Sequence, residues 1–112
     1  MGREHMPKIE FFYFADCPSH EQALALLREV MEEEKIAASL EIIEVKTEDE
    51  AQQYSFYGSP TICVDGIDIA PLSEYLSRPG LTCRVYRRSD GRISPLPPRE
   101  LIVAAFHRNS HV

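Results

Sequence analysis

The chain has 112 residues, 44% of them hydrophobic and 27% charged, with a formal net charge of −6. That is enough for one domain around a single core, and the apolar content excludes general disorder. No apolar run approaches the ~20 residues of a membrane span and MGREHMPKIE lacks the layout of a secretory signal, so a cytoplasmic protein without a membrane partner is expected.

Residues 1–7 read as a disordered lead-in, or a cloning remnant ahead of Met6. A single domain is expected over 8–108, with 109–112 as a tail. KIEFFYF, residues 8–14, predicts a strand buried on both faces. ADCPSH interrupts it, and from Ser19 the spacing of Ala23, Leu26, Leu27, Val30 and Met31 predicts a helix to about Lys35. SLEIIEVK, 39–46, predicts a second strand. Thr47 and Glu50 then form a capping box that opens a short helix to about Tyr54. TICVDGIDI, with Asp65-Gly66 between two apolar runs, is the strongest hairpin signal in the chain. PLSEYLSRPG reads as a loop, or one helical turn at 73–77. LTCRVYR predicts a strand and RSDGR a turn. Pro97 and Pro98 open a last helix striped by Leu101, Ile102, Ala105 and Phe106. The opening βαβ requires a parallel pair, and the hairpin adds antiparallel strands, so the fold class is α/β with a mixed sheet.

The charge is uneven. Residues 1–77 hold five Lys/Arg against sixteen Asp/Glu, whereas residues 78–112 hold seven Arg against Asp90 and Glu100. Mutual neutralisation across a packed surface is the plain expectation. An anion site on the Arg-rich end is the sharper one. Overall acidity argues against nucleic acid as a partner.

Three Cys is an odd number, which excludes a fully paired disulfide framework and fits a reducing compartment. Cys17 falls where the first strand ends and the first helix begins. Ligands of α/β sheets bind at the carboxyl ends of strands, and a helix N-terminus favours thiolate over thiol. Pro18, just inside the helix, adds rigidity. His20, one turn on, would stabilise a thiolate if cationic or accept its proton if neutral. Asp16 acts in the opposite direction. The plain alternatives are a buried, inert thiol and a solvated histidine. In Gly58-Ser59-Pro60-Thr61, Pro60 immediately precedes a strand and is either an edge residue or a cis-proline in a tight turn.

The order strand, Cys-Pro-x-x, helix, strand, helix, proline, hairpin, helix resembles the thioredoxin fold. Cys17-Pro18-Ser19-His20 is similar to the C-x-x-C redox motif with its second Cys replaced by His, and Ser59-Pro60-Thr61 is similar to the cis-proline element that faces it. More narrowly, YFADCPSHEQALALLREV, FYGSPTICVDGIDI, CRVYR and PPRELIVAAF resemble small bacterial thioredoxin-like proteins. Some of these carry the name alkylmercury lyase through distant similarity to a thioredoxin-like part of that enzyme. The likeness covers most of residues 8–108, but only the Cys-Pro and Ser-Pro-Thr elements carry chemical meaning.

The resemblance implies a thioredoxin-like sheet with helices on both faces, a cis bond before Pro60, and a catalytic site of Cys17, His20 and Pro60. No resolving Cys stands at Ser19 or His20, so a dithiol cycle within the motif is excluded. What remains is monothiol chemistry: mixed disulfides with glutathione or a protein thiol, or a sulfenic acid resolved by another thiol. Cys63 is expected ~10 Å from Cys17 by strand rise, too far to bridge without movement. Cys83 reads first as a core residue beside Leu81 and Val85.

The leading expectation is a thiol–disulfide oxidoreductase activity that uses Cys17 and no cofactor. A second is a non-catalytic interaction domain that forms a homodimer through the hairpin edge. A third is soft-metal handling, with Cys17 and Cys83, Cys63 or His20 on a mercury-type ion and Asp16 as proton donor in a lyase-related role. Zinc is disfavoured, because only one C-x-x-H pair is present.

Overall fold

The computed structural model describes residues 7–54, 56, 58–70, 80–81, 86–88 and 90–110, with no side-chain description for 87 and 108–110. Strand β1 (Lys8–Tyr13), with Ile9, Phe11, Phe12 and Tyr13 as its strand-favouring residues, lies between two partners. It pairs in parallel with β2 (Ser39–Glu44), Phe11 opposite Ile42, and antiparallel with β3 (Thr61–Val64), Phe12 opposite Thr61. The connection to β2 runs through α1 (His20–Glu33), and α2 (Glu48–Gln53) lies between β2 and β3. The hairpin β3–β4, with β4 at Ile67–Asp68, completes a sheet of order β2-β1-β3-β4. A small hairpin of β5 (Tyr86–Arg87) and β6 (Ile93–Ser94) precedes α3 (Arg99–Ser110). The fold is therefore α/β, with a four-stranded mixed sheet and flanking helices.

Successive side chains of a strand point to opposite faces, and β1 uses both. Ile9 and Phe11 join Ile62 and Val64 of β3, Ala23, Leu27 and Val30 of α1, and Ile102, Ala105 and Phe106 of α3 in the larger core. Phe12 turns the other way, to Val45, Ala51 of α2 and Phe56. Each fully buried side chain of this size contributes about 1.5–3 kcal/mol relative to exposure.

The turns explain where the elements stop. Helix α1 ends in a Schellman arrangement: Ile36 N–H reaches Met31 O at 2.9 Å and Lys35 N–H reaches Glu32 O at 3.2 Å, with Lys35 at φ 55°. The hairpin turn takes positive φ at both Asp65 (53°) and Gly66 (82°), as a type I′ turn requires. Arg99 and Glu33 form an ion pair that joins the start of α3 to the end of α1 and brings the basic end of the chain onto the acidic part.

Several expected boundaries move. Helix α1 begins at His20, so Pro18 lies ahead of the helix in the preceding turn. Pro7, expected as the end of the lead-in, accepts the Ser39 N–H at 3.1 Å. Helix α3 runs to Ser110, into the expected tail. Strand β6 was not anticipated; at two residues it is too short for an alternation to show. The capping box at α2 is half formed. Thr47 Oγ1 accepts Glu50 N–H at 3.1 Å, whereas the Glu50 carboxylate accepts from Lys46 N–H at 2.8 Å rather than from Thr47. The helical turn expected at 73–77, Cys83, and residues 82–85 of the expected strand lie outside the described residues. No helix of the described residues is long and apolar enough to cross a membrane.

Because Thr47 supplies the side-chain acceptor at the start of α2, Thr47→Ala is expected to cost about 1 kcal/mol. The check is a lower urea midpoint with an unchanged slope.

Candidate functional site

Cys17 lies four residues past the end of β1 and three before the first residue of α1, in a segment neither strand nor helix. The chain turns here because Cys17 N–H bonds back to Phe14 O at 2.9 Å. Its neighbours Asp16 and Pro18 are exposed, while Cys17 itself is 1% exposed. The sulfur contacts both the facing loop and its own turn. Sγ donates to the backbone carbonyl of Ser59 at 3.4 Å and lies 3.2 Å from Ser19 Oγ.

The facing loop is held from several directions. Phe14 N–H, just past β1, donates to Ser59 Oγ at 3.0 Å. Thr61 Oγ1 donates to Gly58 O at 2.6 Å, and Tyr86 OH donates to Pro60 O at 2.6 Å. The Ser59–Pro60 bond is cis. Buried polar groups cost free energy unless hydrogen-bonded, so their location is informative. Among the described residues the buried polar side chains are Ser19, Ser59 and Thr61. Ser19 belongs to the turn at Cys17, Ser59 to the loop facing it, and Thr61 opens β3 directly after that loop.

A thiol carries one S–H, and a carbonyl oxygen only accepts. With the S–H directed to Ser59 O, the Ser19 hydroxyl is the donor to sulfur. In the thiol form, its one hydrogen and a lone pair on sulfur are both used by these neighbours.

His20 is brought close to Cys17, but through its backbone. Nδ1 lies 2.8 Å from Cys17 O, and the ring stacks on Tyr13 at 4.6 Å between centroids and 16° between planes. Since the carbonyl only accepts, Nδ1 carries the hydrogen. Tyr13 thereby fixes the ring from β1, a role that the first-strand pattern did not reveal.

Pro60 is adjacent to the sulfur's carbonyl partner, so Cys17, His20 and the Pro60 loop converge. Cys63 is not part of that group. It pairs with Glu10, two positions from the Thr61–Phe12 pair and so about 7 Å farther along the sheet. It packs with the Phe12 and Phe56 cluster. Among the described residues no group of three His, Cys, Asp or Glu is placed to hold a metal ion.

A separate surface groove of about 270 Å³ is lined by Leu26, Arg88, Ser94, Leu96 and Arg99, among others, and shares no residue with the Cys17 cluster. Its arginines face carboxylates: Arg88 Nε is 3.9 Å from Asp90, and Arg99 pairs with Glu33. Only the Arg99–Glu33 pair joins the basic end to the acidic part among these contacts; Arg88 meets a carboxylate of its own segment.

No protein-family model matches the chain, and no curated protein matches it either.

Ser59 and Ser19 lay inside motifs quoted from the sequence, yet their side-chain roles were not read there. Tyr86 carried no signal at all, being 26 residues from the carbonyl it holds. Tyr86 is 3% exposed, so Tyr86→Phe keeps the ring and leaves the Pro60 carbonyl without this donor. A loss of roughly 1–3 kcal/mol is expected, read as a lower urea midpoint.

Proposed function

We propose that this chain is a thioredoxin-like protein that exchanges thiols through Cys17. The sheet order β2-β1-β3-β4, with β2 parallel and β3 antiparallel to β1, supports the thioredoxin-like reading. The observation that carries the functional reading is the convergence of the described buried polar side chains on one sulfur and the loop facing it. A purely structural cysteine needs no such company, because a thiol packs as a small apolar group.

In the exchange, Cys17 releases its proton to solvent and the thiolate attacks a disulfide of glutathione or of a protein. A bond forms between Cys17 Sγ and one partner sulfur, the partner's S–S bond breaks, and the second sulfur leaves as thiolate and takes up a proton. A further thiol attacks the mixed disulfide and regenerates Cys17. No other cysteine stands within Cys17-Pro18-Ser19-His20, so that thiol comes from outside the motif. The 1% exposure of Cys17 requires that the sulfur be uncovered first, which makes exchange slower than for an open thiol.

The same burial favours a second reading, a domain that binds partners without chemistry and uses the thiol as an internal hydrogen-bonding group. One experiment separates the two. The folded protein is incubated with oxidised glutathione at neutral pH, and its peptides are mapped by mass spectrometry. A glutathione adduct on Cys17, lost in Cys17→Ser, is the expected result. Adducts confined to the other cysteines would retire the exchange reading and leave the binding domain.

A further inference from the structure

We infer that Ser19 is a catalytic residue of the Cys17 site, its hydroxyl directed to the sulfur as thiolate donor instead of capping the helix it precedes. The inference rests on the reading of Cys17 as an exchanging thiol. Ser19-His20-Glu21-Gln22 and Thr47-Glu48-Asp49-Glu50 both have the S/T-x-x-E/Q spacing of a capping box. Thr47 has the extended backbone of an N-cap (φ −133°, ψ 161°), and its hydroxyl accepts Glu50 N–H. Ser19 does not. Its backbone is already helical (φ −93°, ψ −1°), and its side chain makes no cap hydrogen bond.

The Ser19 hydroxyl goes elsewhere, and the residue is only 8% exposed. Its Oγ is 3.2 Å from Cys17 Sγ. With the thiol proton directed to Ser59 O, this contact runs from Ser19 O–H to sulfur. Ionisation changes the two contacts in opposite ways. The proton leaves for solvent, no covalent bond other than S–H breaks, and the Ser59 carbonyl then faces an anion with nothing to accept. The Ser19 hydroxyl already points at the sulfur, and its bond strengthens because its acceptor has become charged. Ser59 O thus holds the thiol and Ser19 Oγ holds the thiolate. The balance between them sets how much nucleophile is present at neutral pH.

The test is an NMR pH titration of the Cys17 Cβ resonance, assigned by its loss in Cys17→Ala. Wild type is compared with Ser19→Ala and Ser19→Asp, and urea unfolding of each variant is run beside Thr47→Ala. In Ser19→Ala the titration midpoint is expected to rise, with about tenfold less thiolate at neutral pH. Its urea midpoint should stay at the wild-type value, unlike that of Thr47→Ala. Ser19→Asp should raise the titration midpoint further, because it places a carboxylate beside the sulfur. The inference is overturned if Ser19→Ala leaves the titration unchanged. It is equally overturned if Ser19→Ala loses stability as Thr47→Ala does while the Cys17 titration stays put, since that marks an ordinary cap. Failure of the exchange reading looks different: wild-type Cys17 then forms no glutathione adduct, whatever the Ser19 variants do.

Discussion

Strand β1 has to bury Phe11 on one face and Phe12 on the other, and the rest of the molecule is arranged to let it. Phe11 and Phe12 are adjacent in sequence and belong to different cores, one closed by α1 and α3 and the other by α2 and Phe56. A strand with buried side chains on both faces must also satisfy its backbone groups on both edges, since an unpaired buried N–H or C=O is costly. β2 and β3 do so in opposite orientations. The parallel partner demands a helical crossover, which is α1, and the antiparallel partner brings the Ser59–Pro60 loop to the end of β1 where α1 must start. Cys17 stands at that junction. Its position follows from the burial of β1 more than from any preference of its own.

This arrangement gives the sulfur two unlike neighbours. A carbonyl from the loop before β3 favours the protonated form, and a hydroxyl from the turn before α1 favours the ionised form. Both are held by surrounding hydrogen bonds, the first through Phe14 N–H and Tyr86 OH, the second by the α1 backbone, where Ser19 O accepts Ala23 N–H at 3.0 Å. A thiol that is buried, polar-contacted and unionised at rest differs from one presented openly to solvent. Burial at 1% exposure shields it from adventitious oxidation.

Much of this was legible in the sequence where local rules are strong. The aromatic run of β1, the 3.6-residue spacing of α1, the Thr47 cap, the Asp65-Gly66 turn and the stripe of α3 each follow from chemistry within a few residues. The parallel pairing of β1 with β2 followed from the βαβ order. What escaped depends on contacts between distant residues or on a residue departing from its usual habit. Ser19 has the composition and spacing of a cap, and its helical dihedral angles and non-capping side chain reveal that it is not one. Tyr86 looks like any strand tyrosine until its hydroxyl meets Pro60 O. His20 was placed near the sulfur by counting, whereas its ring is fixed by Tyr13 and the Cys17 carbonyl. Strand β6 is too short to leave a periodic trace.

The β1–β3 pair is clasped at both ends. Asp65 N–H donates to Lys8 O at 2.8 Å, and the Asp65 carboxylate accepts Lys8 N–H at 3.0 Å, at the turn of the hairpin. At the opposite end Phe14 N–H meets Ser59 Oγ. A slip of one residue would release both clasps and send Ile62 and Val64 to the wrong face of the sheet. The two strands therefore behave as a ruler with its zero at Asp65. The placement of the carbonyl beside Cys17, to a fraction of a residue, is calibrated by a turn at the far end of the sheet that never touches the sulfur.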